Sequence, residues 1–176
     1  NGLDKLGAIE VVTREEGSGT RSTFAEKAGI VDAATGMDQT TKDSVTAAGN
    51  EDVLQKVEED PNAIGYISSA IAGQSDQVHE VTLTKKNLSR NFYLTYTGEE
   101  DFIRYIRSAG QNIVADTYTP VAKSATFLSD KAKGKIVIGG STSVAPLMKT
   151  LAEIYQTLNP NVKIEIRETD SQNGLS

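Results

Sequence analysis

The chain has 176 residues, 38% of them hydrophobic and 24% charged, with a formal net charge of -6. That suits one globular domain or two small lobes, and it disfavours duplex nucleic acid or an anionic membrane surface as main partner, because both require basic patches. Without cysteine there is no disulfide framework and no thiolate ligand or nucleophile, and the single His79 makes a histidine metal centre or catalytic triad hard to assemble. No run approaches the length of a membrane span, and no signal peptide or lipidation cysteine opens the chain, so Asn1 as first residue implies a processed or cut product.

In chain order, residues 8–13 (AIEVVT) read as a strand. Residues 18–27 read as a helix, with Ser18 or Gly19 near its N-cap and Gly29 as its stop. Residues 31–41 are small, polar and loop-like, and 43–48 read as a short strand. Asn50 is expected to cap a helix through Glu58, with Val53, Leu54 and Val57 as its apolar stripe and Asp60-Pro61-Asn62 as its ending turn. Strands are expected at 63–68, 78–83 and 91–97, then a helix over 99–114 with Phe102, Ile103, Ile106 and Ile113 on one face. An extended stretch follows at 118–121, and a polar connection over 122–134 leads to a strand at 135–138. A helix over 143–158 tolerates Pro146 in its first turn, and Val144, Leu147, Leu151, Ile154 and Leu158 form its stripe. Asn159-Pro160-Asn161 is a turn, 162–167 alternates as a strand, and 169–176 reads as a turn entering another helix. Alternating strands and helices imply an α/β fold with largely parallel sheets.

Two segments carry the chemistry. Gly17-Ser18-Gly19-Thr20 and Gly139-Gly140-Ser141-Thr142-Ser143 each follow a β-branched run and lead into helix-forming sequence. A strand, a small hydroxyl-rich turn and a helix start together make an anion cradle, because the first turn leaves amide N–H groups unpaired and its dipole favours negative charge. Arg14, at the end of the first strand, adds a guanidinium suited to paired hydrogen bonds with an oxyanion. Ser18, Gly19 and Thr20 supply donors from one segment, Thr142 and Ser143 occupy the equivalent place in the other, and Ser171 offers a third helix start.

A structural reading accounts for the same residues: Ser and Thr as ordinary N-caps, Arg14 as a surface partner of Glu15 or Glu16, and Arg21 as a solvated first-turn side chain. Phe92, Tyr93 and Tyr96 then read as sheet packing, His79 as an exposed strand residue, and Glu58 to Asp60 and Lys85-Lys86 as solvated surface. Other site classes fail on spacing. Neither segment has the lysine of a P-loop, Ser22 stands where a dinucleotide fingerprint needs its third glycine, and no G-x-S-x-G elbow surrounds Ser18 or Ser143.

The run Val11-Val12-Thr13-Arg14-Glu15-Glu16-Gly17-Ser18-Gly19-Thr20-Arg21-Ser22-Thr23-Phe24 resembles the phosphate-binding loop of the phosphate-specific periplasmic binding proteins, the solute receptors of phosphate ABC importers. Asn62 to Ile67 resembles a following strand of that family, and Leu88 to Leu94 its return into the other lobe. Ile138 to Pro146 resembles the start of the mature family sequence, and Asn159-Pro160-Asn161-Val162 its first turn. The resemblance covers nearly the whole chain.

It implies a two-lobed, periplasmic-binding-protein-like α/β fold with phosphate in the cleft, an extracytoplasmic and lipid-anchored full-length protein, ABC importer membrane subunits as partners, and no cofactor or metal. Carried over by position, Arg14, Ser18, Gly19 and Thr20 contact phosphate from a lobe spanning 1–84, and Thr142, Ser143 and Ser171 from a lobe spanning 85–176. The segment order is reversed relative to the family pattern, and the stretch bearing the family's proton-accepting carboxylate is not found. The expectation is therefore a permuted chain or a fragment, with half-sites able to complete each other in a swapped dimer. The alternatives are a phosphatase or phosphoryl-transfer domain using the same cradle, and a surface signalling protein that has lost its ligand.

Overall fold

The computed structural model describes residues 7–83 and 87–175. The chain forms two compact units, Asn1–Asn91 with Ser141–Ser143 and Asp170–Ser176, and Phe92–Gly140 with Val144–Thr169. The lobe boundary expected at 84–85 and the Lys85-Lys86 pair both fall on residues outside that description.

In the first unit, β1 (Glu10–Arg14) is the centre of a parallel sheet, flanked by β2 (Val45–Ala47) and β3 (Ala63–Ile64). Val12 faces Val45 and Arg14 faces Ala47, so β-branched pairs lie within the sheet and a small residue stands beside the arginine. Val12, Ala47 and Val53 form the core, with Val57, Ala63 and Ile67 packed against it. α1 (Gly19–Ala28) starts after β1, and Ser18 caps it by accepting from the Arg21 N–H at 3.3 Å. It ends on Gly29, in the left-handed region at φ 76, whose N–H reaches the Ala25 and Glu26 carbonyls. α2 (Asn50–Glu59) buries Val53 against the sheet, and the short α3 (Ser69–Ala72) buries Ile71.

The second unit holds α4 (Glu100–Arg107), α5 (Gly110–Ala115), β4 (Gly134–Ser141) as far as Gly140, α6 (Ala145–Leu158) and β5 (Val162–Thr169), with β4 and β5 paired. Its core is Phe102, Tyr105, Ile136, Leu151, Tyr155 and Val162. The Phe102 and Tyr155 rings meet edge-on at 4.9 Å, and Tyr155 donates its hydroxyl to Asp101 at 2.7 Å.

The sequence reading holds for the α/β class, for α1, for β2 and for the two strands that flank α6. It is corrected at five places. The cap of α2 is Gly49 rather than Asn50, whose side chain turns into the site instead. The helix expected over 99–114 is two helices, because Ser108 Oγ donates to the Arg104 carbonyl at 2.6 Å and Gly110 is a poor helix former. Of the strand expected over 63–68 only Ala63–Ile64 pairs. The stretches 78–83 and 91–97, the second of them alternating, form no strand, since a β-prone run makes a strand only where a neighbour completes the ladder. Phe92, Tyr93 and Tyr96 are accordingly exposed rather than packed in a sheet, and His79 is exposed in irregular backbone. The segment after β5 enters a single 3-10 turn, Asn173–Leu175, whose start Asp170 caps through the Gln172 and Asn173 N–H groups at 2.9 and 2.7 Å.

Candidate functional site

Ligand sites in parallel sheets form beyond the carboxyl ends of the strands. Arg14 is the last residue of β1, the central strand, and its side chain is buried at 2% exposure. A buried guanidinium needs partners for its fork of N–H groups. Its Nε and Nη2 each donate to one oxygen of Glu15 at 2.8 Å, a bidentate pair along one edge. Its other edge donates from Nη1 to Asn50 Oδ1 at 3.0 Å and from Nη2 to Thr142 Oγ1 at 3.4 Å. One edge is thus held by the carboxylate while the other faces hydroxyl-bearing residues. The expectation that Arg14 is a surface arginine paired with Glu15 or Glu16 is half right: Glu15 is the partner, but the guanidinium is buried. Burial pushes the Glu15 carboxyl up, yet the Arg14 guanidinium and the Gly49 amide, which donates at 3.2 Å, hold it below its ordinary value.

Asn50 organises the rest. Its side chain is 1% exposed. Oδ1 accepts from Arg14 Nη1 and from the Ser68 N–H at 3.0 Å, and Nδ2 donates to Thr142 Oγ1 at 3.0 Å and to Ser143 Oγ at 3.3 Å. Both lone pairs and both protons of the amide are therefore used. Ser143 is buried, and its hydroxyl also shares a hydrogen bond with Thr20 Oγ1 at 2.9 Å.

The structure therefore brings together Arg14, Thr20, Thr142 and Ser143 in one hydrogen-bonded cluster. Gly19 opens α1 beside it, and Ser171 lies close against Gly19, where an added Cβ would overlap the serine hydroxyl. Ser18 is adjacent, but its hydroxyl accepts from the Arg21 N–H and its own N–H donates to the Glu15 carbonyl at 3.3 Å, so it shapes the loop. Glu16 is exposed. Gly17, at φ 79, turns the chain into the helix in a conformation that disfavours any side chain, and an added Cβ would also press on the Asp170 carboxyl at 3.1 Å.

The loop is braced from below. Tyr66 shares a hydrogen bond with Thr13 Oγ1 at 2.7 Å, accepts from the Arg14 N–H at 3.2 Å, and stacks on Phe24 with ring centres 4.2 Å apart. Arg21 is no solvated side chain. It donates to the Arg14 carbonyl at 2.9 Å and pairs with Asp38 at 2.7 Å. That guanidinium pulls the Asp38 carboxyl down to about 2. The folded value lies below the unfolded one, so the pair stabilises the fold above the unfolded pKa of about 3.9 and is lost as pH falls toward 2. Asp38→Asn is expected to cost about 1 kcal/mol at neutral pH and to flatten the acid limb of stability between pH 4 and 2, measured by urea unfolding.

Sequence alone does not single out Asn50 or Glu15 as site residues. A buried asparagine in the first turn of a helix carries no motif, and its role depends on partners as distant in the chain as Ser143. Among the described residues, no group of three or more His, Cys, Asp and Glu side chains is placed to hold a metal, and no helix is long and apolar enough to cross a membrane.

No family model matches the chain. It is 37% identical over 190 residues to phosphate-binding protein PstS 2 of Streptococcus pneumoniae, a match covering 97% of this chain and 65% of that relative. It is 35% identical over 191 residues to phosphate-binding protein PstS 2 of Streptococcus agalactiae, with the same coverage of 97% and 65%. The chain thus spans slightly less than two thirds of the length of these curated relatives. A solved structure, a phosphate-binding protein of a phosphate ABC transporter from Streptococcus pneumoniae, superposes with a TM-score of 0.65 at 31% identity, covering 96% of this chain and 74% of that one. On those matches, together with its α/β fold, the chain belongs to the family of phosphate-binding proteins of phosphate ABC transporters.

Proposed function

We propose that this chain forms the anion-binding part of an extracytoplasmic receptor that captures inorganic phosphate for an ABC importer. The observation that carries this reading is the convergence of one edge of buried Arg14 with the hydroxyls of Thr20, Thr142 and Ser143 beside the first turn of α1. A tetrahedral oxyanion presents acceptors in every direction, and this cluster offers charge-assisted and hydroxyl donors together with first-turn amides of Gly19 and Thr20. Ser18 acts by fixing the loop, and Ser171 by closing against Gly19.

Arg14 is held by Glu15 and Asn50 before any ligand arrives, so little ordering opposes binding. The groups that meet are donors and fixed charges, which suits capture and release rather than turnover. Importer membrane subunits are then the macromolecular partners, and the full-length protein works outside the cytoplasm on a lipid anchor.

Titration calorimetry of the full-length protein tests this. Phosphate is expected to give saturable heat and sulfate at least tenfold weaker binding. Heat from neither, in protein shown to be folded, overturns the reading, and steady hydrolysis of a phosphate ester would favour the phosphoryl-transfer alternative.

A further inference from the structure

A second guanidinium reaches the same hydroxyls. Arg90 is half-buried, and its Nη2 donates to Ser143 Oγ at 3.4 Å and to Thr20 Oγ1 at 3.5 Å. Its Nη1 lies over the first residue of α1, where a methyl group on Gly19 would overlap it. Arg14 comes to this cluster through Thr142, and Asn50 links Thr142 to Ser143. Two guanidiniums therefore serve one set of hydroxyls. Burial, and then the Arg14 charge, pull the Arg90 pKa below its ordinary value. A second positive charge here is thus unfavourable for the protein alone, and an anion seated against the hydroxyls would offset it.

Resting on the phosphate reading above, we propose that Arg90 is a second anion-contacting arginine, so that the oxyanion is held between Arg14 and Arg90, and that Gly19 is glycine because it must admit the Arg90 guanidinium together with the Ser171 hydroxyl. A doubly charged oxyanion gains from both arginines.

The test is phosphate titration of the full-length protein, unaltered and as Arg90→Gln, across a range of salt concentrations. The expected result is a loss of roughly 10- to 100-fold in affinity for Arg90→Gln, as for one charged hydrogen-bond partner. Its log affinity should also fall less steeply with salt, while the melting temperature of the ligand-free protein is unchanged or raised. A merely structural arginine would lower that melting temperature and leave the salt slope alone. Gly19→Ala is expected to weaken phosphate by displacing the same guanidinium. Phosphate heat in the unaltered protein, with Arg90→Gln within twofold of it, overturns the assignment of Arg90 and leaves the phosphate reading standing. No heat in the unaltered protein overturns both. If Arg90→Gln does not fold, Arg90→Lys decides: affinity within twofold of the unaltered protein overturns the proposal, and a loss of threefold or more supports it.

Discussion

Arg14→Ala will abolish measurable phosphate heat and lower the stability of the protein at the same time. The two effects have one cause. The guanidinium is almost fully buried and makes paired hydrogen bonds to Glu15, one to Asn50 and one to Thr142. Truncation leaves the Glu15 carboxylate without its cation and Asn50 Oδ1 with one acceptor site unmet. Breaking a fully buried pair costs about 3–5 kcal/mol, and Glu15 retains some water, so roughly 2–3 kcal/mol is expected here. For a chain of this length that lowers the melting temperature by about 5–10 °C. Affinity should fall by roughly 100-fold or more, because charge-assisted donors to the anion are lost together. Arg14→Lys separates the parts. It keeps the charge but cannot span both Glu15 oxygens and Asn50, so stability should return only partly. Calorimetric titration alongside thermal unfolding reads both quantities. An Arg14→Ala protein with unchanged melting temperature would contradict the hydrogen-bond network around this guanidinium.

The second large effect is expected at Asn50. All of its hydrogen-bonding capacity is used, on Arg14, Ser68, Thr142 and Ser143. Asn50→Leu fills a similar volume but strands those partners, and about 2–4 kcal/mol of stability should be lost. Asn50→Asp is the sharper experiment. It preserves both acceptor contacts and adds a carboxylate beside Arg14, so the stability loss should be smaller than for Asn50→Leu. Phosphate affinity should nonetheless drop by roughly tenfold or more, since the new charge faces the anion's place and the donors to Thr142 and Ser143 are gone. Urea unfolding and titration of the two variants together distinguish support of the fold from support of the ligand. Equal affinity in Asn50→Asp and the unaltered protein would show that the anion does not sit against these hydroxyls.

These two positions differ in how far sequence alone exposes them. Arg14 stands at the end of a β-branched run before a glycine turn, and that pattern already assigns it to a strand end facing a helix start. Ser18 as N-cap and Gly29 as helix stop are equally local, because capping depends only on a few neighbouring dihedrals and hydrogen bonds. The α/β class follows from the alternation of strand and helix periods. For the same reason the two hydroxyl segments stand out from their residues alone.

Long-range pairing is different. The strands expected at 78–83 and 91–97 are absent, although the second alternates, because a ladder needs a partner that local sequence does not provide. The helix expected over 99–114 breaks where a serine hydroxyl competes for the backbone carbonyls. In the site, the chain by its residues alone determined a strand-end arginine, a capped helix start and hydroxyl-rich turns with an affinity for negative charge. Only tertiary structure decided that Arg14 is buried, that Asn50 ties it to Thr142 and Ser143, and that Arg90 arrives over Gly19. The physical reason is that caps and turns are settled within a few residues, whereas a buried guanidinium must take its partners from whichever segments the packed sheet brings within hydrogen-bond reach.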